Sequence, residues 1–173
     1  MKILIAVDLQ NDFITGALGT PEAQEMLPRA AAYIAAHQGP VLYTLDTHEA
    51  DYLSTREGGV LPVEHCIRGT EGWQLSPELA PVLAGAKVFE KPTFGSVQLA
   101  EELKALSETE ELELELVGLC TDICVISNAL LLKAFLPEVR ITVDASCCAG
   151  VTPQKHLAAL ETMRSCQVAV VNA

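Results

Sequence analysis

No stretch of the 173 residues approaches the ~18 consecutive apolar residues that a membrane helix needs. The opening run Lys2-Ile3-Leu4-Ile5-Ala6-Val7 breaks off at Asp8, too early for the apolar segment of a signal peptide. Basic residues are scarce: 11 Lys and Arg against 23 Asp and Glu leave a net charge of −12. A surface this acidic repels phosphate backbones and anionic lipid, which argues against nucleic-acid and membrane partners. The acidity is shared by both halves of the chain, so no basic tail hides beneath the sum. Internal repeats, low-complexity tracts and linker-like segments are also missing. What remains is 50% hydrophobic and 20% charged, enough apolar surface to offset the ordering entropy of one well-buried domain over residues 1–173. With no secretory signal, the six cysteines (Cys66, Cys120, Cys124, Cys147, Cys148 and Cys166) read as thiols rather than a disulfide framework, and the expected compartment is the cytoplasm.

Apolar, β-branched runs alternate with helical patterns along the chain. Strands are expected over Ile3 to Val7, Val41 to Leu45, Lys87 to Glu90, Leu112 to Val117, Arg140 to Val143 and Val168 to Val171. Apolar residues of period near 3.6 predict helices over Ala23 to His37, Pro77 to Leu83, Val97 to Leu106, Cys124 to Phe135 and Pro153 to Arg164. Thr20, Ser76, Ser96 and Thr152 stand where helix caps belong. Such alternation predicts an α/β fold, a parallel sheet with helices on both faces. Glu111, Glu113 and Glu115 alternate with leucines, so the first half of the fourth strand is expected to keep one face wet. Thr47 to Leu75 carries no regular pattern, and a long irregular loop in a small domain is usually functional.

In a parallel sheet of this kind, ligands bind beyond the carboxyl ends of the strands. Asp8 follows the first strand, Asp46 and His48 the second, Lys91 the third, and Cys120 to Cys124 the fourth. Cys124 falls at a strand-to-helix turn, where unpaired amides and the helix dipole are expected to lower a thiol's pKa. A lysine nearby would stabilise thiolate and oxyanion alike, and an aspartate could take the thiol proton and return it to a leaving group. For Cys66, Cys147, Cys148 and Cys166 the simpler reading is a small buried hydrophobe. Asp46-Thr47-His48 places two side chains on one side of an extended segment; with Glu57 and His65 from the loop they could hold Zn²⁺, Fe²⁺ or Mn²⁺ with positions left open. The plainer alternative is a loop pinned by hydrogen-bonded histidines.

These residues sit in longer motifs: Val7-Asp8-Leu9-Gln10-Asn11-Asp12-Phe13, Asp46-Thr47-His48, His65 to Gly72, Lys91-Pro92-Thr93-Phe94-Gly95-Ser96, and Gly118 to Val125. Together with Val143-Asp144-Ala145 and His156 to Leu160, they resemble the isochorismatase-like cysteine hydrolase superfamily, in particular its nicotinamidase branch. The resemblance implies a three-layer α/β/α Rossmann-like fold with a six-stranded, mainly parallel sheet. It also implies an Asp8, Lys91, Cys124 triad, and a cis peptide between Leu119 and Cys120 that makes the amides of Cys120 and Cys124 an oxyanion hole. A divalent metal, zinc foremost, would be held by Asp46, His48, Glu57 and His65, where many members have His in place of Glu57. Phe13 and Trp73 would form the aromatic wall for substrate. The implied activity is hydrolysis of nicotinamide or a similar small amide, through a thioester, to a carboxylic acid and ammonia, by a homo-oligomer. Two alternatives stand beside it: a metal-free hydrolase of N-carbamoyl or ureido compounds with the same triad, and a non-catalytic binding subunit on this fold.

Overall fold

The computed structural model describes residues 1–173. Its first strand, β1 (Lys2–Val7), is buried from Ile3 onward because strands flank it on both edges and helices cover both faces. β2 (Val41–Asp46), β3 (Lys87–Lys91), β4 (Glu113–Leu119), β5 (Arg140–Ala149) and β6 (Ala169–Val171) complete one sheet in the order β3-β2-β1-β4-β5-β6. Every pairing is parallel. Successive β1 residues take opposite sides, as a period of two requires. Ile3, Ile5 and Val7 join a core with Leu99 and Leu103 of α4 (Val97–Ser107), Leu132 of α5 (Ile126–Phe135) and Met163 of α6 (Pro153–Ser165). Leu4 and Ala6 face Met26, Ala30 and Ile34 of α2 (Pro21–Ala36). Two short helices, α1 (Asn11–Ile14) and α3 (Arg56–Val60), belong to the loops above the strand ends. No helix is long and apolar enough to cross a membrane.

The caps follow the sequence except at one place. Thr20, Ser96 and Thr152 each accept a hydrogen bond from the backbone N–H three residues on, at 3.1, 3.2 and 3.2 Å. Ser76 opens no helix. Pro77 to Leu83, expected to be helical, is a chain of turns in which Ala80 N–H reaches Ser76 O and Leu83 N–H reaches Leu79 O. Pro81 cannot donate to such a ladder. The periodic leucines still do what the pattern promised, since Leu79 and Leu83 are buried at 0% and 2% exposure in the α2-side core.

The fourth strand also differs. Glu113 is exposed but Glu115 is only 4% exposed, because Tyr33 of α2 donates its hydroxyl to Oε1 at 2.6 Å and Lys2 Nζ stands 2.8 Å from Oε2. The chain therefore enters the strand with one face wet, at Glu111 and Glu113, and the departure is Glu115, a buried carboxylate with dedicated partners. β5 runs on past Val143 to Ala149, re-pairing with β4 after a register shift. The segment from Thr47 to Leu75 is less irregular than its composition implies: a 3₁₀ turn at Tyr52–Ser54 precedes α3, which Thr55 caps through Gly58 N–H. Isolated bridges from His48 to Ile67 and from Gln10 to Leu75 fold the segment back over the sheet edge.

The strand order reverses between β1 and β4, so the loops leaving these neighbours diverge and open a crevice between them.

Candidate active site

Asp8 and Cys124 meet at that crevice because of Gly118. A Cβ on this residue, whose φ is +127°, would stand 2.1 Å from Val7 O; only glycine lets β4 lie this close to the end of β1. Beyond it the Leu119–Cys120 peptide is cis and Thr121–Val125 forms a π-helical turn that runs into α5. The Cys120 N–H, at the mouth of this turn, has no acceptor within the protein. Lys91 enters from the end of β3, with Nζ 2.6 Å from Asp8 Oδ2, 3.4 Å from Cys124 Sγ and 3.5 Å from Asp46 Oδ1. Asp8, Lys91, Cys124 and Asp46 are 0%, 2%, 4% and 3% exposed.

Burial and mutual proximity set the protonation states. Burial pushes the Asp8 carboxyl above its usual range, the ammonium of Lys91 pulls the other way, and Asp46 adds to the rise. For Lys91, burial opposes the charge, but Asp8, Cys124 and Asp46 together hold it above its ordinary value, so it stays an ammonium. The Cys124 thiol is driven well upward, first by burial and then by the Asp8 carboxylate, with Lys91 pulling down. This corrects the expectation from the helix start: the resting sulfur is protonated, with a base beside it, rather than a preformed thiolate. Cys120 is pushed up to about 12, mainly by burial.

Asp46 closes β2, and its carboxylate meets His48 and His65 in a cluster whose ligand atoms lie within 4.8 Å of one another. Asp46 Oδ2 is 3.2 Å from His48 Nε2 and 3.6 Å from His65 Nε2. Glu57, on α3, brings Oε1 to 3.7 and 3.8 Å from the same two nitrogens. Four donors at ~2.1 Å around one tetrahedral ion stand roughly 3.4 Å apart, which these separations bracket. His65 Nδ1 donates to Val63 O at 2.8 Å and so turns Nε2 toward Asp46 and Glu57; burial opposes a charge on the ring, but Asp46, the bond to Val63 O and Glu57 hold its pKa above the ordinary value. His48 Nε2 is buried with no hydrogen-bond partner. Moreover Asp8, Asp46 and Lys91 sum to one uncompensated negative charge inside the protein, which a low-dielectric interior tolerates poorly. A divalent cation satisfies the orphaned nitrogen and the charge together, so the residues fit one. Asp46, meanwhile, is held below the usual carboxylate range: burial opposes its charge, but the neighbouring imidazoles of His48 and His65 and the Lys91 ammonium outweigh it.

Above the sulfur is a cavity of ≈ 440 Å³ with apolar walls of Phe13, Leu18, Val60, Leu61, Phe94 and Ile123. Asp46, Glu57, His65, Cys120 and Cys124 line its floor and side, and Arg56 and Thr93 complete it. Phe13 stands edge-on to His65 at 5.7 Å. Trp73, expected in the aromatic wall, is not at the cavity: its indole N–H donates to Thr47 Oγ1 at 2.9 Å and its ring packs on the α2-side core. Phe94 occupies the wall instead.

Three supporting residues escaped the sequence reading. Gln10 accepts from Asp46 N–H at 2.7 Å and donates to Asp46 O and Trp73 O at 2.9 and 2.8 Å, which fixes the end of β2. Thr44 donates to Asp8 Oδ1 at 2.6 Å, leaving Oδ2 to Lys91. Asn128 donates to Cys124 O at 2.8 Å and Phe94 O at 3.1 Å and accepts from Ser96 N–H at 2.9 Å, tying the sulfur's turn to the cavity wall. Asn128 had a sequence signal, as a polar residue one turn after Cys124 in an apolar helix, and Gln10 lay within a motif that gave it no role of its own; Thr44 had none.

A buried acid, ammonium and thiol under a cavity can form and break a thioester, and comparison with known proteins points the same way. The curated nicotinamidase/pyrazinamidase of Mycobacterium tuberculosis is 32% identical over 186 residues, covering 99% of this chain and 98% of its own. The crystal structure of the nicotinamidase/pyrazinamidase from Bacillus subtilis superposes with a TM-score of 0.83 at 30% identity, covering 98% of each chain. That of the pyrazinamidase of Pyrococcus horikoshii in complex with zinc gives 0.79 at 25% identity, covering 99% of each. The Isochorismatase domain family matches residues 2–173. The chain belongs to the isochorismatase family.

Proposed function

We propose that this protein is a cysteine-dependent amide hydrolase of the nicotinamidase type, converting nicotinamide or a similar small amide to the carboxylic acid and ammonia. The observation that carries this reading is the buried Lys91 ammonium standing between the Asp8 carboxylate and the Cys124 sulfur. The amide enters with its carbonyl oxygen toward the N–H groups of Cys120 and Cys124. Asp8, made more basic by burial, takes the thiol proton as the sulfur bonds to the carbonyl carbon, so negative charge passes to the oxygen, where the two amides receive it. Asp8 then gives the proton to the nitrogen, the C–N bond breaks, and ammonia leaves a thioester on Cys124. A water that loses its proton to Asp8 attacks the thioester carbon, and the acid departs as the sulfur recovers the proton. Lys91 stays charged throughout and prevents Asp8 from repelling the developing oxyanion.

A divalent ion, zinc foremost, held by Asp46, His48 and His65 with Glu57 would supply a fixed positive charge to orient a substrate lone pair. The unsatisfied His48 nitrogen supports this over the metal-free alternative. The partner is then a small-molecule amide and the assembly a homo-oligomer. A cytoplasmic setting accords with six cysteines that are all free. Ammonia release from nicotinamide tests the proposal. Wild type is expected to liberate ammonia and nicotinate and to yield a hydroxamate when hydroxylamine traps the thioester. A Cys124→Ala variant that still releases ammonia would remove the mechanism.

A further inference from the structure

The cavity wall carries one charged group for which the amide reaction has no task. Asp46, Glu57 and His65 belong to the metal cluster and Cys120 and Cys124 to acyl transfer, which leaves the guanidinium of Arg56. Arg56 opens α3 and makes neither an ion pair nor a side-chain hydrogen bond. Arg29, Arg68 and Arg164 each reach a carboxylate or a carbonyl. Of the five arginines only Arg56 and Arg140 lack such a partner, and only Arg56 lines the cavity. The adjacent Glu57 does not serve it, being turned toward His48 and His65.

Ligand cavities of this kind are mostly apolar, with a few placed polar groups that fix orientation. The buried floor holds Cys120 and Cys124, the apolar walls receive the body of the substrate, and Arg56, exposed, stands on the solvent side of the same cavity. A guanidinium presents a planar fork of N–H donors matched to a carboxylate. We propose that Arg56 determines specificity, and that the preferred substrates are aromatic or heteroaromatic carboxamides bearing a second, anionic group, a carboxylate, on the side of the ring remote from the amide. This rests on the amide-hydrolase reading and narrows its substrate class. The net charge of −12 acts against anions at long range, but salt confines that repulsion to about 8 Å; inside the cavity the local cation decides.

The test compares kcat/KM for nicotinamide and for 5-carbamoylnicotinate, a pyridine with one carboxamide and one carboxylate, in metal-loaded wild type, Arg56→Ala and Arg56→Glu, with metal content measured in each. Wild type is expected to favour the carboxylate-bearing amide. The ratio should fall about tenfold in Arg56→Ala, the size of one charge-assisted hydrogen bond, mainly through KM, and further in Arg56→Glu. Arg140→Ala, which removes the other unpaired arginine, at the start of β5 and so at the end of the sheet away from the site, should leave the ratio where it is. A ratio that Arg56→Ala does not move, or that Arg140→Ala moves equally, overturns the proposal while nicotinamide hydrolysis still stands. Hydrolysis of neither amide by wild type removes the amide-hydrolase reading as well.

Discussion

Lys91, 2% exposed, is shared by Asp8, Asp46 and Cys124 within 3.5 Å, and its role depends on a compact charge. An Arg at this position keeps the charge but spreads it over a wide plane that the site has no room for. Lys91→Arg is expected to lower kcat/KM for ammonia release at least about a hundredfold, by displacing Asp8 or the sulfur from hydrogen-bond reach; turnover above a tenth of wild type would show that the ammonium's shape is immaterial. Lys91, Asp8 and Cys124 were legible in the sequence because each follows a strand, where a parallel sheet displays its side chains. Thr44 and Gln10 were not. Their partners Asp8 and Asp46 lie 36 residues away in the chain, and a neutral side chain carries no local mark of a distant partner. Trp73 misled for the converse reason: its bulk suggested a substrate wall, while its N–H found Thr47 and turned the ring inward.

Among the elements, the segment from Thr47 to Leu75 is held at both ends, while residues 49–64 make no hydrogen bond to the protein outside the segment. It contributes His48, Glu57 and His65, and its anchors include the bonds from Thr47 N–H to Lys91 O and from Cys66 N–H to Asp12 and the bridge of Leu75 to Gln10. Removing His48, buried at the centre of the cluster, is expected to abolish metal binding in His48→Ala. Glu57→Gln should only weaken it, since one charge is lost while three ligands persist. Elemental analysis of the two variants and wild type checks both, and equal metal in all three would place the ion elsewhere. Chelation should expose this segment to limited proteolysis and leave the sheet intact, because local stability follows local contacts. The helices within the segment went unseen because α3 is five residues long and its Gly58-Gly59 reads as a turn. At Gly58 a Cβ would stand 2.2 Å from Tyr52 O, so the glycine serves a close backbone approach. Pro77 to Leu83 failed in the opposite sense: the leucines were spaced for a helix and are buried as if in one, but the backbone between them is turns.

On the scale of the whole molecule, the thiols couple stability to pH. Cys66, Cys120, Cys124, Cys147 and Cys148 all have pKa values raised above the ordinary 9.0, chiefly by burial. A thiol raised in the folded state binds more protons than the unfolded chain once pH passes 9.0, so its stabilising contribution is complete below that value and is lost as pH climbs toward the folded pKa. Each such thiol costs about 1.4 kcal/mol per pH unit within that window. Urea unfolding is expected to show flat thiol behaviour below pH 8 and a steep decline from pH 9 upward, and Cys148→Ala should make the decline shallower. An equal slope in the variant would assign the alkaline loss to other groups. The sheet's order has a consequence of its own for how the chain is made. β1 can pair with β2 as soon as Asp46 is clear of the ribosome, but its other edge belongs to β4. That edge waits while Thr47 to Leu112 is synthesised, several seconds at about 5–20 residues per second. For that interval an apolar strand destined for the centre of the sheet is open to any passing strand, so nascent chains, rather than the finished enzyme, are where this fold is most vulnerable to mispairing.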